Sequence, residues 1–483
     1  FAWPLLARPG SAAVAHAGDA PWLFAAIVPL MIAVVWAEIA DGAVDAKALA
    51  LLGVLAAIGT ALRPIATPLV MSGFDPGVAD TIGDLFRTQG FVPMRAGQGA
   101  PGERPYDGPL RPGDAVGVTI VSGDLELGAT GTVTHIDGAR VYAFGHPLYN
   151  LGPIEFPMTR AYIYTLLPSL ASSSKLAGTG EVIGTFAQDR ATAIAGTLGA
   201  GPRLVPVKLT LQSDHAVAQT FNFSVVNDPM FTPLMTYAAL LNTLGSYERQ
   251  YGATTFTVRG EARLAGHGTI ALDNIFAGDQ ASVGAAAYIA APITALLGND
   301  YERAQLEGLD LAIGSTETPR TTTIERVWVD DPRVRPGHPV AVKVLLRHWR
   351  GETELRTITV TVPPTATGTL SLVVSDAARL AQMEVRETRS LSPRSSIPQI
   401  VRAANKVRRN NRLYVKLVAM MPGAMVNGEP LAALPPSVLA VFDGDRASGN
   451  VGALQTLTLG EWELTLDRAV TGARTLSLIV SNN

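Results

Sequence analysis

Apolar residues open the chain in two unbroken runs and then alternate with polar ones through most of the remaining length. Residues 21–37 (PWLFAAIVPLMIAVVWA) carry no charge over 17 positions, and residues 48–62 (ALALLGVLAAIGTAL) carry none over 15. Glu38, Asp41, Asp45 and Lys47 separate the two. A membrane-spanning helix needs about 20 apolar residues, with about 17 as the lower limit. Trp22 and Trp36 stand where interfacial aromatic anchors would. The pattern predicts an apolar helical hairpin within residues 1–64, serving as a membrane anchor; a pair of buried core helices is the alternative.

From Ile65 the pattern changes. Glycine and proline become frequent and period-2 alternation sets in, the signature of half-buried strands. Strands are predicted at 115–121, 131–136, 139–144, 205–211, 219–225 and 254–264, and helices at 80–88, 233–246 and 281–297. Residues 97–110 read as a loop. Asp137-Gly138 reads as a two-residue hairpin turn, with His135 then opposite Arg140 and Val133 opposite Tyr142. Beyond a boundary near Pro319, strands at 323–329, 340–347, 354–362 and 369–375 predict a β-sandwich-like module. A helix over 397–409 and strands from 412 to the terminus form the last part. The expected fold class is mainly β with some helix (α+β). Its parts are an apolar segment over 1–64, a β body over 65–320, a sandwich-like module over 321–386, and a basic helix with a further β module over 387–483.

Composition narrows the function classes. Charged residues are only 16% of 483, against about 25% in an ordinary soluble domain. The net charge of −3 provides no global basic field for nucleic acid. The chain has no cysteine, which excludes disulfides, thiolate metal sites and cysteine nucleophiles. Between Glu387 and Glu429 lie eight basic residues and no acidic one: Arg389, Arg394, Arg402, Lys406, Arg408, Arg409, Arg412 and Lys416. Such a run is either a patch for anionic headgroups or another acidic polymer, or simply a solvated face.

Seven histidines are the candidates for chemistry: His16, His135, His146, His215, His267, His338 and His348. None has the spacing of a zinc hydrolase. His135, Asp137 and His146 could share a metal, but the hairpin turn also claims Asp137, so no metal or cofactor is assigned. The glycines at 178, 180 and 184 lack the lysine and hydroxyl residue of a phosphate loop. His146 follows a predicted strand, between Gly145 and Pro147, where the backbone holds it in place. An imidazole there suits a general base, although a structural histidine is the commoner case.

The stretch from about Ile65 to Asn483 resembles bacterial SpoIVB-type serine peptidase-family proteins. The resemblance is carried by A-T-P-L-V-M-S-G-F (66–74), L-R-P-G-D-A-V-G-V (110–118) and S-G-D-L-E-L-G-A-T-G-T-V-T-H-I-D-G (122–138). It continues through A-F-G-H-P (143–147), G-T-F-A-Q-D-R (184–190), E-R-V-W (325–328) and N-N-R-L-Y-V (410–415). It implies a peptidase-like β body, endopeptidase chemistry in an envelope or sporulation compartment, and a histidine base, matched by His146. The family's G-M-S-G-S-P nucleophile motif is absent, and a histidine base without a hydroxyl has no proton to take. Ser72, in Met71-Ser72-Gly73, and Ser174, before Lys175, are the substitute nucleophiles. Asp189 either orients His146 or pairs with Arg190. Residues 18–63 resemble part of a substrate-binding component of an energy-coupling-factor transporter, which implies no more than an anchor. The expectation is a membrane-anchored or exported envelope protein of this family, inactive or incomplete as a peptidase. It would contact a protein or peptide partner and meet the membrane through its first segment. A non-catalytic binding or scaffold protein on the same fold is the alternative.

Overall fold

The computed structural model describes residues 67–88, 91–95, 108–167, 174–214, 217–247, 254–388, 396–426, 429–432, 434–442 and 451–481. All lie in one unit built from Thr67–Leu167 and Ser174–Asn483. The two apolar runs, and with them the expected helical hairpin, lie outside the described residues. Among the described residues strands predominate, and no helix is long and apolar enough to cross a membrane.

The first body begins with β1 (Thr67–Ser72), α1 (Pro76–Thr88), β2 (Phe91–Arg95), β3 (Ala115–Gly123), β4 (Glu126–Asp137) and β5 (Arg140–Ala143). It continues with β6 (Gly152–Leu167), β7 (Ser174–Arg190), β8 (Ala193–Leu198), β9 (Leu204–Ser213) and β10 (Gln219–Val226). It ends with α2 (Phe231–Tyr247), β11 (Thr254–Leu264), β12 (Gly268–Gly278), α3 (Ala281–Leu297) and β13 (Leu306–Thr316). Thirteen strands share one sheet in the order β12-β11-β13-β9-β10-β3-β6-β7-β8-β5-β4-β1-β2, and β3 pairs with β4 in addition. That extra pairing closes β3, β6, β7, β8, β5 and β4 into a six-stranded ring.

So small a ring brings opposite walls close together. A Cβ at Gly117 of β3 or Gly128 of β4 would lie 3.0 or 2.8 Å from the Thr179 methyl of β7, a strand paired with neither. Outside the ring, β9 alternates strictly. Val205, Val207, Leu209 and Leu211 are buried, while Pro206 and Lys208 face outward. The buried side belongs to the same core as Phe231, Met235, Leu240 and Leu244 of α2 and Ala285, Ile289 and Ile293 of α3. The sheet thus has one helix-covered face and one solvated face.

The 137–140 hairpin forms with a shifted register. Asp137 pairs with Arg140, His135 with Tyr142 and Val133 with Ala143, with a bulge between Val133 and His135. The two loop residues are Gly138 and Ala139, because Gly138 takes the positive φ of 57° that the first loop position of a type II′ turn demands. Asp137 therefore stays in the strand.

The second body contains β14 (Thr321–Trp328), β15 (Arg333–Val334), β16 (Pro339–His348), β17 (Thr353–Thr361), β18 (Thr369–Ser375), α4 (Ala377–Thr388) and α5 (Ile397–Asn405). It closes with β19 (Arg412–Val426), β20 (Glu429–Ala432), α6 (Pro436–Phe442), β21 (Val451–Thr465), β22 (Ala469–Thr471) and β23 (Ala473–Val480). One sheet runs β17-β16-β14-β22; the other runs β15-β23-β18-β19-β20, with β21 on β19. Ile324, Val342, Val344, Leu346 and Val360 of the first share one core with Leu370, Leu372, Leu413, Val415 and Leu478 of the second. Residues on both sides of the expected boundary at 387 thus build one sandwich, because β18 pairs with both β19 and β23 and β14 pairs with β22.

Four of the eight cations of the basic stretch are paired with acids from other elements. Arg408 binds Glu384 and Glu461, Arg409 binds Asp273, Arg412 binds Glu463, and Lys416 binds Glu384. Helix α5 ends at 405 and docks Ile397 and Val401 into the first core. The Asn405 amide accepts from Ala271 N–H at 2.8 Å and donates to Thr269 C=O at 3.1 Å, occupying the open edge of β12.

Burial pushes the Glu384 carboxyl up, but hydrogen bonding and charge from Arg408, with Lys416 behind, hold it below its ordinary value. A carboxylate lowered in the folded state stabilises above its unfolded pKa, and that stability is lost as pH falls through the folded value. Glu384→Gln should therefore cost about 1–3 kcal/mol near pH 7. The gap from wild type in thermal melts should shrink below about pH 4.5, where the unfolded carboxyl begins to bind protons. A gap that stays constant down to about pH 2 would contradict this account.

Candidate functional site

The A-F-G-H-P segment leaves β5, which sits between β4 and β8, and must reach β6, which sits between β3 and β7. The chain from 144 to 151 therefore crosses the end of the ring. Its departure is fixed by Phe144, whose N–H donates to Thr132 C=O at 2.9 Å. The Phe144 ring occupies the space a Cβ at Gly131 would need, 2.4 Å from its Cδ2. Phe144 and Gly145 both have positive φ, 75° and 72°. Glycine adopts that conformation without strain, whereas phenylalanine is held there by its packing.

His146 is half-buried and its ring meets Phe144 edge-on, with centroids 5.7 Å apart. Nδ1 lies 2.9 Å from Pro147 C=O. A carbonyl can only accept, so Nδ1 carries the proton and donates. In the neutral ring, Nε2 is left with its lone pair, the form a general base requires. Among the described residues no hydroxyl hydrogen-bonds to His146.

Asp189, expected to orient His146 or to pair with Arg190, bonds directly to neither. It is fully buried. Its Oδ1 accepts from Leu148 N–H at 2.8 Å, and Oδ2 accepts from Tyr149 and Leu151 N–H at 2.7 and 3.2 Å. Arg190 instead donates to Gln188 at 2.9 Å. The carboxylate supplies the acceptors that a loop crossing the end of a ring cannot obtain from a strand partner. Asp189 thus acts on the histidine through the backbone that carries it. Beyond it, the Tyr149 ring packs on Phe231, centroids 4.8 Å apart, and burial pushes its hydroxyl well above the ordinary tyrosine range.

The substitute nucleophiles lie elsewhere. Ser72 is 5% exposed at the end of β1, opposite Glu126. The amide of Asn242 bridges the turn after it, donating to Gly73 C=O and accepting from Asp75 N–H. Ser174 opens β7 opposite Leu167, and Asp189 lies at the other end opposite Gly152. Ser174 and the loop that Asp189 holds thus belong to opposite ends of β7, fifteen residues apart along the strand. His135, Asp137 and His146 form no group that could hold a metal ion, as is true of all described residues.

One hydroxyl–histidine–carboxylate chain does exist. Thr322 Oγ1 lies 2.7 Å from His348 Nδ1, and His348 Nε2 lies 3.2 Å from Glu354 Oε2. Thr322 is fully buried between strands, so no substrate carbonyl can reach it. Sequence spacing carries no sign of this cross-strand contact between β14, β16 and β17. The Asp189 hub is equally hidden, since its partners lie about 40 residues away and are backbone N–H groups of no particular residue type.

No family model, no curated protein and no solved structure matches the chain.

Two outcomes test this geometry. Asp189→Ala should destabilise the protein by about 3–5 kcal/mol, because one buried and two part-buried N–H groups lose a charged, fully buried acceptor; denaturant unfolding measures it, and a cost under about 1 kcal/mol would contradict the hub. Long-range proton–nitrogen NMR of the neutral His146 ring should show the proton on Nδ1. Finding it on Nε2 would contradict the Pro147 hydrogen bond.

Proposed function

We propose that this chain is a SpoIVB-type serine peptidase-family protein of the bacterial envelope that works without peptidase chemistry, as a binding or scaffold protein. The observation that carries the reading is the state of His146. Its Nε2 is available as a base, but among the described residues no serine or threonine hydroxyl bonds to it. Serine-type hydrolysis needs that hydroxyl within hydrogen-bond reach and N–H donors for the oxyanion. The absence of the G-M-S-G-S-P motif and the placement of Ser174 support the same conclusion.

The large sheet and the sandwich offer surface for a protein or peptide partner rather than a catalytic cleft. Two adjacent hollows of about 270 and 440 Å³ lie on the solvated sheet face, and Lys208 and Asp310 line both. Anchoring through the apolar runs before Thr67 places the protein at a membrane of the envelope.

A fluorophosphonate probe applied to the full chain tests the reading. The expected result is no covalent labelling in wild type or in His146→Ala. Labelling of wild type that His146→Ala abolishes would establish an active serine hydrolase instead.

A further inference from the structure

Strand β17 forms one edge of the β17-β16-β14-β22 sheet, and among the described residues only β16 pairs with it. At one end of that ladder His348 N–H donates to Glu352 C=O at 2.7 Å, and at the other Val362 N–H donates to His338 C=O at 3.1 Å. Antiparallel ladders alternate, so the even positions of β17 bond to β16. The N–H and C=O groups of Thr353, Leu355, Thr357, Thr359 and Thr361 therefore point away from β16, out of the sheet edge. Natural edges are commonly blunted by lysine, proline or a bulge. This strand has none of them: it reads TELRTITVT, and its register with β16 runs from Thr353 to Thr361 without a shift. Its one guard is a pair of charges, Glu354 and Arg356, on the side that carries Ile358 and Val360 into the core. Their side chains are 34% and 47% exposed and bond to one another at 2.6 Å. The second Glu354 oxygen lies 3.2 Å from His348 Nε2. On the opposite side of the strand, Leu355 is 53% exposed.

We propose that β17 is the contact through which two copies of this chain pair edge to edge, as a two-fold antiparallel dimer. The charges select a second copy over an arbitrary strand. Opposite charges two positions apart on one side of a strand are self-complementary under a two-fold axis, so the copy brings the matching pair by symmetry. They also select the register. Outward N–H and C=O groups must meet outward groups, which places the axis on a residue rather than between two. An axis at Glu354 or Arg356 sets like charges directly opposite each other, and an axis at Thr353 sets Glu354 against Glu352; such pairs destabilise a ladder. An axis at Thr357 leaves the charges against Val360 and Ile358. An axis at Leu355 sets each Glu354 against the partner's Arg356, twice over. It also joins the two exposed Leu355 side chains and sets Thr353 against the partner's Thr357, contacts that add to a strand pair. The ladder stops at the β16–β17 turn, where Arg350 and Gly351 have positive φ of 71° and 94°. So short a contact belongs at the weak end of specific interfaces, and because each copy contributes its one β17 edge, the assembly closes at two.

Sedimentation velocity of the full chain, in a non-ionic detergent that leaves charge pairs intact, tests this over a wide range of protein concentration. The expected result for the wild type is a reversible monomer–dimer equilibrium. Glu354→Arg alone and Arg356→Glu alone should each lower the dimer fraction several-fold, because each sets like charges opposite. An equimolar mixture of the two variants should restore the dimer, and so should both exchanges in one chain. Leu355→Asp, which leaves the contacts of Glu354 in place, should weaken the dimer as well; thermal melts establish that each variant is folded. A wild type that stays monomeric throughout overturns the proposal, as it would if the chain covered its own edge. Single variants that dimerise like the wild type overturn it by placing the contact elsewhere. A mixture that stays monomeric, or a series of larger oligomers, also overturns it.

Discussion

The pairing of β3 with β4 is the constraint on which the rest of the first body depends. Without it the thirteen strands would form a single open sheet; with it, six of them close on themselves. Closure removes two edges and brings opposite walls within side-chain reach. That explains glycine at 117 and 128, where a methyl group would meet Thr179 from across the ring. It also forces the chain between β5 and β6 over the end of the ring, and the histidine rides on that crossing.

A crossing of this kind has no ladder to satisfy its N–H groups. Asp189 supplies the acceptors from the end of β7, fully buried and bonded to three N–H groups of the loop. The histidine is thus positioned through backbone, with a carbonyl rather than a carboxylate on Nδ1. In a serine hydrolase the acid on that nitrogen stabilises the imidazolium as it forms. Pro147 C=O offers only a dipole in the place of that acid. This electrostatic weakness agrees with the proposed non-catalytic role.

The sandwich and its basic stretch show how far local charge can mislead. Eight cations without an intervening acid look like a surface for anions, yet four of them are taken up by Glu384, Glu461, Asp273 and Glu463. The acids come from α4, β21 and β12, each outside the 402–416 stretch itself. Together with Asn405 on the edge of β12 and Asn410 bonded to Asn274 and Ile275, they tie the stretch to both bodies.

Sequence alone determined the elements whose burial is one-sided. The alternation in β9, β11 and β16 and the apolar faces of α2 and α3 were legible to within a few residues, because period-2 and helical patterns record which face is buried. It also determined that His146 would be held by its neighbours, through Gly145 and Pro147. Strands β6, β7 and β8 were not legible. Glycine, threonine and proline interrupt their alternation, and four register shifts between β6 and β7 repeatedly change which residues face the same side. Only the tertiary structure decided that the sheet closes, that 321–386 and 387–483 are one sandwich, and that Asp189 serves a loop rather than a ring nitrogen. Each of these depends on partners brought together from distant parts of the chain, and a backbone N–H leaves no mark in the identity of the residue that donates it.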